Sequence, residues 1–134
     1  MKVLVVCTGN SCRSQMAEAF FNAIDGVEAQ SAGTHPEKVN PLAIAVMNEL
    51  NIDISKNESN HLDEFIDQNF DYIITVCDRA EKECPVFHGG GKRVHHAFKD
   101  PAKASGTPDQ ILDKFREARK AIDLYVTSFV NQNM

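Results

Sequence analysis

The chain has 134 residues, 43% of them hydrophobic and 25% charged, with a formal net charge of −5. That length suits one domain spanning residues 1–134, and the composition excludes a disordered or membrane-embedded chain. The acidic balance argues against a nucleic-acid partner, which needs a basic stripe to displace counterions, so any anion must be captured locally.

The opening MKVLVVCTGNS has four apolar residues in a row. That is too few for a secretory core, and no run of about 18 apolar residues follows. A cytoplasmic protein with no membrane partner is expected. Lys2 to Val6 predicts a buried strand, and Ser14 to Ile24 a helix with Met16, Ala17, Phe20, Phe21 and Ile24 at helical spacing. Gly26 closes that helix, a second strand is expected from Val27 to Ser31, and a loop from Gly33 to Asn40. Asn40 and Pro41 have the character of an N-cap and first helical position, for a helix through Leu50 that buries Ile44, Met47 and Leu50.

Tyr72 to Val76 predicts a third strand and Arg93 to Phe98 a weaker fourth, with Gly89 to Gly91 as a flexible loop tip between them. Thr107, Pro108 and Gln110 supply an N-cap, a first-turn proline and a capping-box partner. They stand ahead of Ile111, Phe115, Ala118, Ile122, Tyr125, Val126 and Phe129. Strands alternating with helices predict an α/β fold, a doubly wound four-stranded parallel sheet with helices on both faces. In the economical order 2-1-3-4 the chain reverses between strands 1 and 3, and ligands bind at the carboxyl ends beside such a switch point. Cys7 follows strand 1 and Cys77 follows strand 3, so the topology brings both to one crevice.

Between strand 1 and helix 1 runs CTGNSCRS, with five residues separating Cys7 from Arg13. A loop of this size can wrap the amides of Thr8, Gly9, Asn10, Ser11, Cys12, Arg13 and Ser14 around a tetrahedral oxyanion at a helix N-terminus. Gly9 and Asn10 suit left-handed backbone. Arg13 can grip two oxygens, and its charge favours a Cys7 thiolate to which Ser14 could donate. The plainer alternative is a small-residue turn holding a buried cysteine.

Four cysteines in a reducing compartment are expected to be thiols. Cys77 and Cys84 lie seven residues apart. In a helix their α-carbons would stand about 10 Å apart, beyond the roughly 7 Å reach of a disulfide. Joining them demands local unwinding, which the charged stretch Asp78 to Glu83 followed by Pro85 makes plausible. Each could instead be an idle thiol. Asp100 before Pro101 is either a turn device or an acid at the same sheet edge as Cys7.

The chain resembles the low-molecular-weight phosphotyrosine phosphatase superfamily and, within it, the arsenate reductases coupled to thioredoxin. The resemblance runs through CTGNSCRSQMAEAF, SAGTHPEKVNP, NIDIS, ITVCDRAEKECP and FKDPA. It implies a Cys7 nucleophile for arsenate or phosphate, with Arg13 holding the oxyanion and Asp100 as proton donor. It further implies a relay through a Cys7–Cys77 and then a Cys77–Cys84 disulfide, with no tightly bound cofactor, thioredoxin as external reductant and a monomeric protein. Cys12 then serves packing or side oxidation.

Two other readings compete. A phosphatase of the superfamily usually carries aromatic residues after its Asp-Pro, where Ala102 and Lys103 stand here. A metal-binding module would use Cys77, Cys84, His88, His95 and His96, whose spacing lacks the close pairs of common zinc sites. Some relatives hold a potassium ion through residues matching Asn10, Glu18 and Ser31 and an aspartate. Asn60 takes the aspartate's place, which removes a hard anionic ligand.

Overall fold

A computed structural model describes residues Met1–Met134. Four parallel strands, β1 (Lys2–Cys7), β2 (Glu28–Gly33), β3 (Tyr72–Thr75) and β4 (Lys92–His95), form one sheet in the order β2-β1-β3-β4. This is the predicted order, and it leaves β1 central, with Val3 to Cys7 all buried as a strand covered on both faces requires. The helices are α1 (Arg13–Asn22), α2 (Pro41–Asn48), α3 (Asp78–Glu83) and α4 (Pro108–Asn133), with short 3-10 turns at Leu62–Phe65 and Pro101–Lys103. None is long and apolar enough to cross a membrane.

The N-terminal signals read from sequence carry through to geometry. Asn40 accepts from the Leu42 amide at 2.8 Å and Pro41 opens α2. Thr107 and Gln110 form a reciprocal capping box ahead of α4. That helix buries Phe115, Ile122, Val126, Phe129 and Val130, and it packs on α1 and α2. Phe129 meets Phe21 edge-on at 5.9 Å and Tyr72 at 5.0 Å, tying α4 to α1 and to the sheet.

Element ends shift where tertiary packing overrides local pattern. α1 spans Arg13–Asn22 rather than Ser14 to Ile24, since Cys12 already takes the cap position. β2 begins at Glu28 and continues to Gly33, because β1 stays straight to Cys7 and pairs with it residue for residue. β3 ends at Thr75 and β4 at His95, although the His96 and Phe98 amides still reach the Thr75 and Val76 carbonyls at 2.9 and 3.0 Å. α2 stops at Asn48 and buries Ala43, Val46 and Met47, leaving Ile44 half-buried and Leu50 exposed, so its inward face is rotated by one position from the expected one. In the glycine tip, Gly91 holds a left-handed φ of +113° against the Phe70 carbonyl, so a close approach explains the residue better than freedom does.

Candidate active site

The strand order brings the ends of β1 and β3 together, and with them two thiols. Cys7 is the last residue of β1 and Cys77 caps the N-terminus of α3. Both are buried. Each thiol shifts the other's titration, Cys77 downward and Cys7 upward. The bond from the Cys7 thiol lowers Cys77 to about 5 against the opposing effect of burial. The Thr8 hydroxyl, the Ala80 amide in the first turn of α3 and the Arg13 charge push it the same way. Cys7 is correspondingly pushed up, by Cys77 and by burial, while Arg13 and the Thr8 amide pull it down. Thr8, expected only among the oxyanion donors, also sets its hydroxyl 3.1 Å from the Cys77 sulfur.

The loop from Thr8 to Cys12 is built by turning its carbonyls outward. Those of Cys7, Thr8, Gly9 and Ser11 accept from the amides of Thr34, His35, Glu37 and Asn40, at 2.8 to 3.2 Å. The Asn10 carbonyl accepts from Gln15 Nε2 at 3.0 Å and Ser59 Oγ at 2.7 Å. With the carbonyls so bound, the amides of Gly9, Asn10, Ser11 and Cys12 have no protein acceptor. They are free to serve an anion at the start of α1. The segment that does this follows β2 at the same sheet end, a fact invisible without the topology. Gly33 permits it, because a β-carbon there would stand 2.5 Å from the Thr8 carbonyl oxygen.

Of the two residues expected in left-handed backbone, only Asn10 adopts it, at φ 48°. Its fully buried side chain donates to Ser14 Oγ at 2.8 Å and Ser31 Oγ at 2.9 Å and accepts from the Asn60 amide at 2.9 Å. Ser14 is therefore engaged by Asn10, and it is not among the groups that act on the Cys7 sulfur. Cys12 is buried and burial pushes its thiol up to about 12, which suits a packing role.

Arg13 donates to the Phe98 carbonyl at 3.0 Å and stands 3.6 Å from the Asp100 carboxylate. Asp100 also caps the following turn through the Ala102 amide at 3.0 Å, so it acts as a turn device and reaches the crevice as well. Thr8, Arg13, Cys77, Asp78, Arg79, Lys99, Asp100 and Lys103 line a cavity of about 500 Å³ at the Cys77 thiol, with Cys7 buried outside its lining. Arg79 and Lys99 lie within motifs of the resemblance and Lys103 follows the Asp-Pro, but the sequence assigned none of the three a role at the site. They give the mouth of an acidic protein a local positive balance, which favours small anions.

Cys84 closes α3 at its far end, buried, its thiol against the Pro85 carbonyl at 3.7 Å. Burial pushes that thiol up, opposed by Arg93. The six-residue helix between the cysteines buries only Ala80. Helical geometry thus keeps Cys84 apart from Cys77 while α3 is formed.

The histidine and cysteine set of the metal-binding reading does not converge. His88 pairs with Asp67, His95 with Asp78 and Glu81, and His96 stacks on Tyr125 at 4.2 Å. The potassium set fits no better. The Asn10 oxygen is spent on the Asn60 amide, the Asn60 side chain is neutral, and burial pushes the Glu18 carboxyl up, which disfavours its charged form.

A family model for low molecular weight phosphotyrosine protein phosphatases matches residues 2–130. The arsenate reductase of Halalkalibacterium halodurans is 40% identical, covering 95% of this chain and 93% of its own. That of Bacillus subtilis is 40% identical over 90% of this chain and 88% of its own. A solved arsenate reductase in the phosphate binding state superposes with a TM-score of 0.82 at 30% identity, covering 99% of this chain and 98% of its own. The low molecular weight protein tyrosine phosphatase of T. tengcongensis shares the fold, with a TM-score of 0.82 at 24% identity, 98% of this chain and 99% of its own covered. The chain belongs to the low molecular weight phosphotyrosine protein phosphatase family.

Proposed function

We propose that the chain reduces arsenate to arsenite through a three-cysteine relay regenerated by thioredoxin, as a single cytoplasmic domain acting as a monomer. The observation that carries this reading is the placement of buried Cys7 and Cys77 at the ends of neighbouring strands β1 and β3, together with a third thiol, Cys84, at the other end of a short helix. Hydrolysis needs one nucleophile, a cradle and an acid. It has no use for a second, low-pKa thiol against the first.

Arsenate enters the loop with its oxygens on the amides of Thr8 to Ser14 and on Arg13. Cys7 transfers its proton to Cys77 and adds to arsenic, and Asp100 delivers a proton to the departing oxygen, which leaves as water. Cys77 gives that proton up to the Asp100 carboxylate, left unprotonated by the first step, and its thiolate attacks the Cys7 sulfur. The sulfur–arsenic electron pair goes to arsenic, which leaves as arsenite, and a Cys7–Cys77 disulfide forms. Cys84 then attacks Cys77 and returns Cys7 as a thiolate. Thioredoxin supplies two electrons to the resulting Cys77–Cys84 disulfide by ordinary exchange.

Arsenite release with thioredoxin, thioredoxin reductase and NADPH tests the relay. Wild type cycles, Cys7→Ser releases nothing, and Cys84→Ser stops after one equivalent. Turnover of Cys84→Ser like wild type would rule out the relay. Rapid phosphatase turnover without arsenate reduction would make the protein a hydrolase. Hydrogen exchange across residues 77–84 should be faster in the oxidised than in the reduced protein, and identical exchange counts against an opening helix.

A further inference from the structure

The helix that must open, α3, has almost no apolar anchorage, so polar contacts decide how firmly it is held. β4 supplies them. Arg93 and His95 are two residues apart on a strand and therefore share a face. His95 takes the first turn, with Nε2 2.9 Å from Asp78 and Nδ1 3.3 Å from Glu81. Arg93 takes the last turn, donating to the carbonyls of Glu81 and Pro85 at 3.4 Å each. The Pro85 carbonyl is the one on which the Cys84 thiol rests. Carbonyls at a helix C-terminus lack intrahelical partners, and a cation is favoured there.

We propose that Arg93 is a positioning residue for the second thiol exchange, holding the last turn of α3 closed through its carbonyls and supplying the positive charge against which Cys84 becomes a thiolate. This rests on the reading of the chain as an arsenate reductase. In that exchange Cys84 gives its proton to solvent and its sulfur attacks Cys77. The Cys7–Cys77 bond breaks with its electron pair on Cys7, and the Cys77–Cys84 bond forms, with no net oxidation. Burial opposes the Cys84 thiolate, and Arg93 is the charged group whose influence favours it.

The two parts of the role separate under substitution. Arg93→Met loses cap and charge; Arg93→Lys keeps the charge but not the two-carbonyl fork. Hydrogen exchange of the amides in residues 82–86 of the reduced protein should rise about fivefold in both variants, on the scale of two weak hydrogen bonds. The pH midpoint for alkylation of Cys84 by iodoacetamide, followed on the Cys84 peptide, should rise by about half a unit in Arg93→Met and return to the wild-type value in Arg93→Lys. Arg93 is exposed, so both proteins should fold. Unchanged exchange in Arg93→Met overturns the cap. An unmoved midpoint, or one that lysine fails to restore, overturns the electrostatic role. Neither measurement uses arsenate, so failure of the wild type to release arsenite would sink the functional reading while leaving Arg93 to be judged on its own.

Discussion

Replacing Thr8 with valine removes one hydroxyl and keeps the shape of the side chain, so it isolates the bond that hydroxyl makes to Cys77 at 3.1 Å. A hydrogen bond to a charged acceptor contributes about 1.5–3 kcal/mol. Sulfur is a weak acceptor, so the low end applies, and that corresponds to about one pH unit. The Cys77 midpoint then moves from about 5 to about 6. Near pH 5 the thiolate fraction falls about fivefold, but each thiolate becomes about threefold more nucleophilic because reactivity follows basicity. Alkylation of Cys77 should be about twofold slower near pH 5 and about threefold faster near pH 8, and the wild-type and variant profiles should cross between them. The assay is the pH dependence of iodoacetamide labelling, followed on the Cys77 peptide. Superimposable profiles, or a variant slower at every pH, would refute the assignment of the Thr8 hydroxyl to the Cys77 thiolate.

Two further substitutions probe the scaffold. Gly33→Ala forces a β-carbon to within 2.5 Å of the Thr8 carbonyl and 3.0 Å of the Asn10 amide nitrogen. Neither atom can swing aside, so the anion loop moves, and arsenite release should fall about 100-fold with only a small change in melting temperature. Ile122→Ala opens a hole at a fully buried position in α4. It should cost about 2–5 kcal/mol in urea unfolding while leaving the Cys77 alkylation midpoint where it was.

Much of the site was readable because its parts lie close together in the chain. Cys7, Asn10 and Arg13 share one loop, and the strand before it and helix after it each carry a clear pattern. Cys77 required the further step of sheet order, which alternating elements and right-handed crossovers supply. Other features left no trace. The outward-turned loop carbonyls depend on residues 34–40, whose amides are donors in any sequence. Arg93 figured only as the start of a weak strand and His95 only in the metal-binding alternative, since nothing in KRVH states that a short helix lies across one face of it. The His95 and His96 pair could have met a single metal, but strand alternation sends them to α3 and to Tyr125.

Local chemistry alone pointed to Cys7 as the candidate nucleophile, to the loop proposed to hold the anion and to how α2 and α4 begin. Caps, turn residues and hydrophobic period act within one or two helical turns, so the chain carries them in plain order. Tertiary structure alone decided the state of the thiols. Cys77 is lowered by Cys7, Thr8 and Arg13, which come from another strand and the loop after it. Electrostatic effects depend on distance and burial, and neither quantity exists until β1 and β3 are side by side.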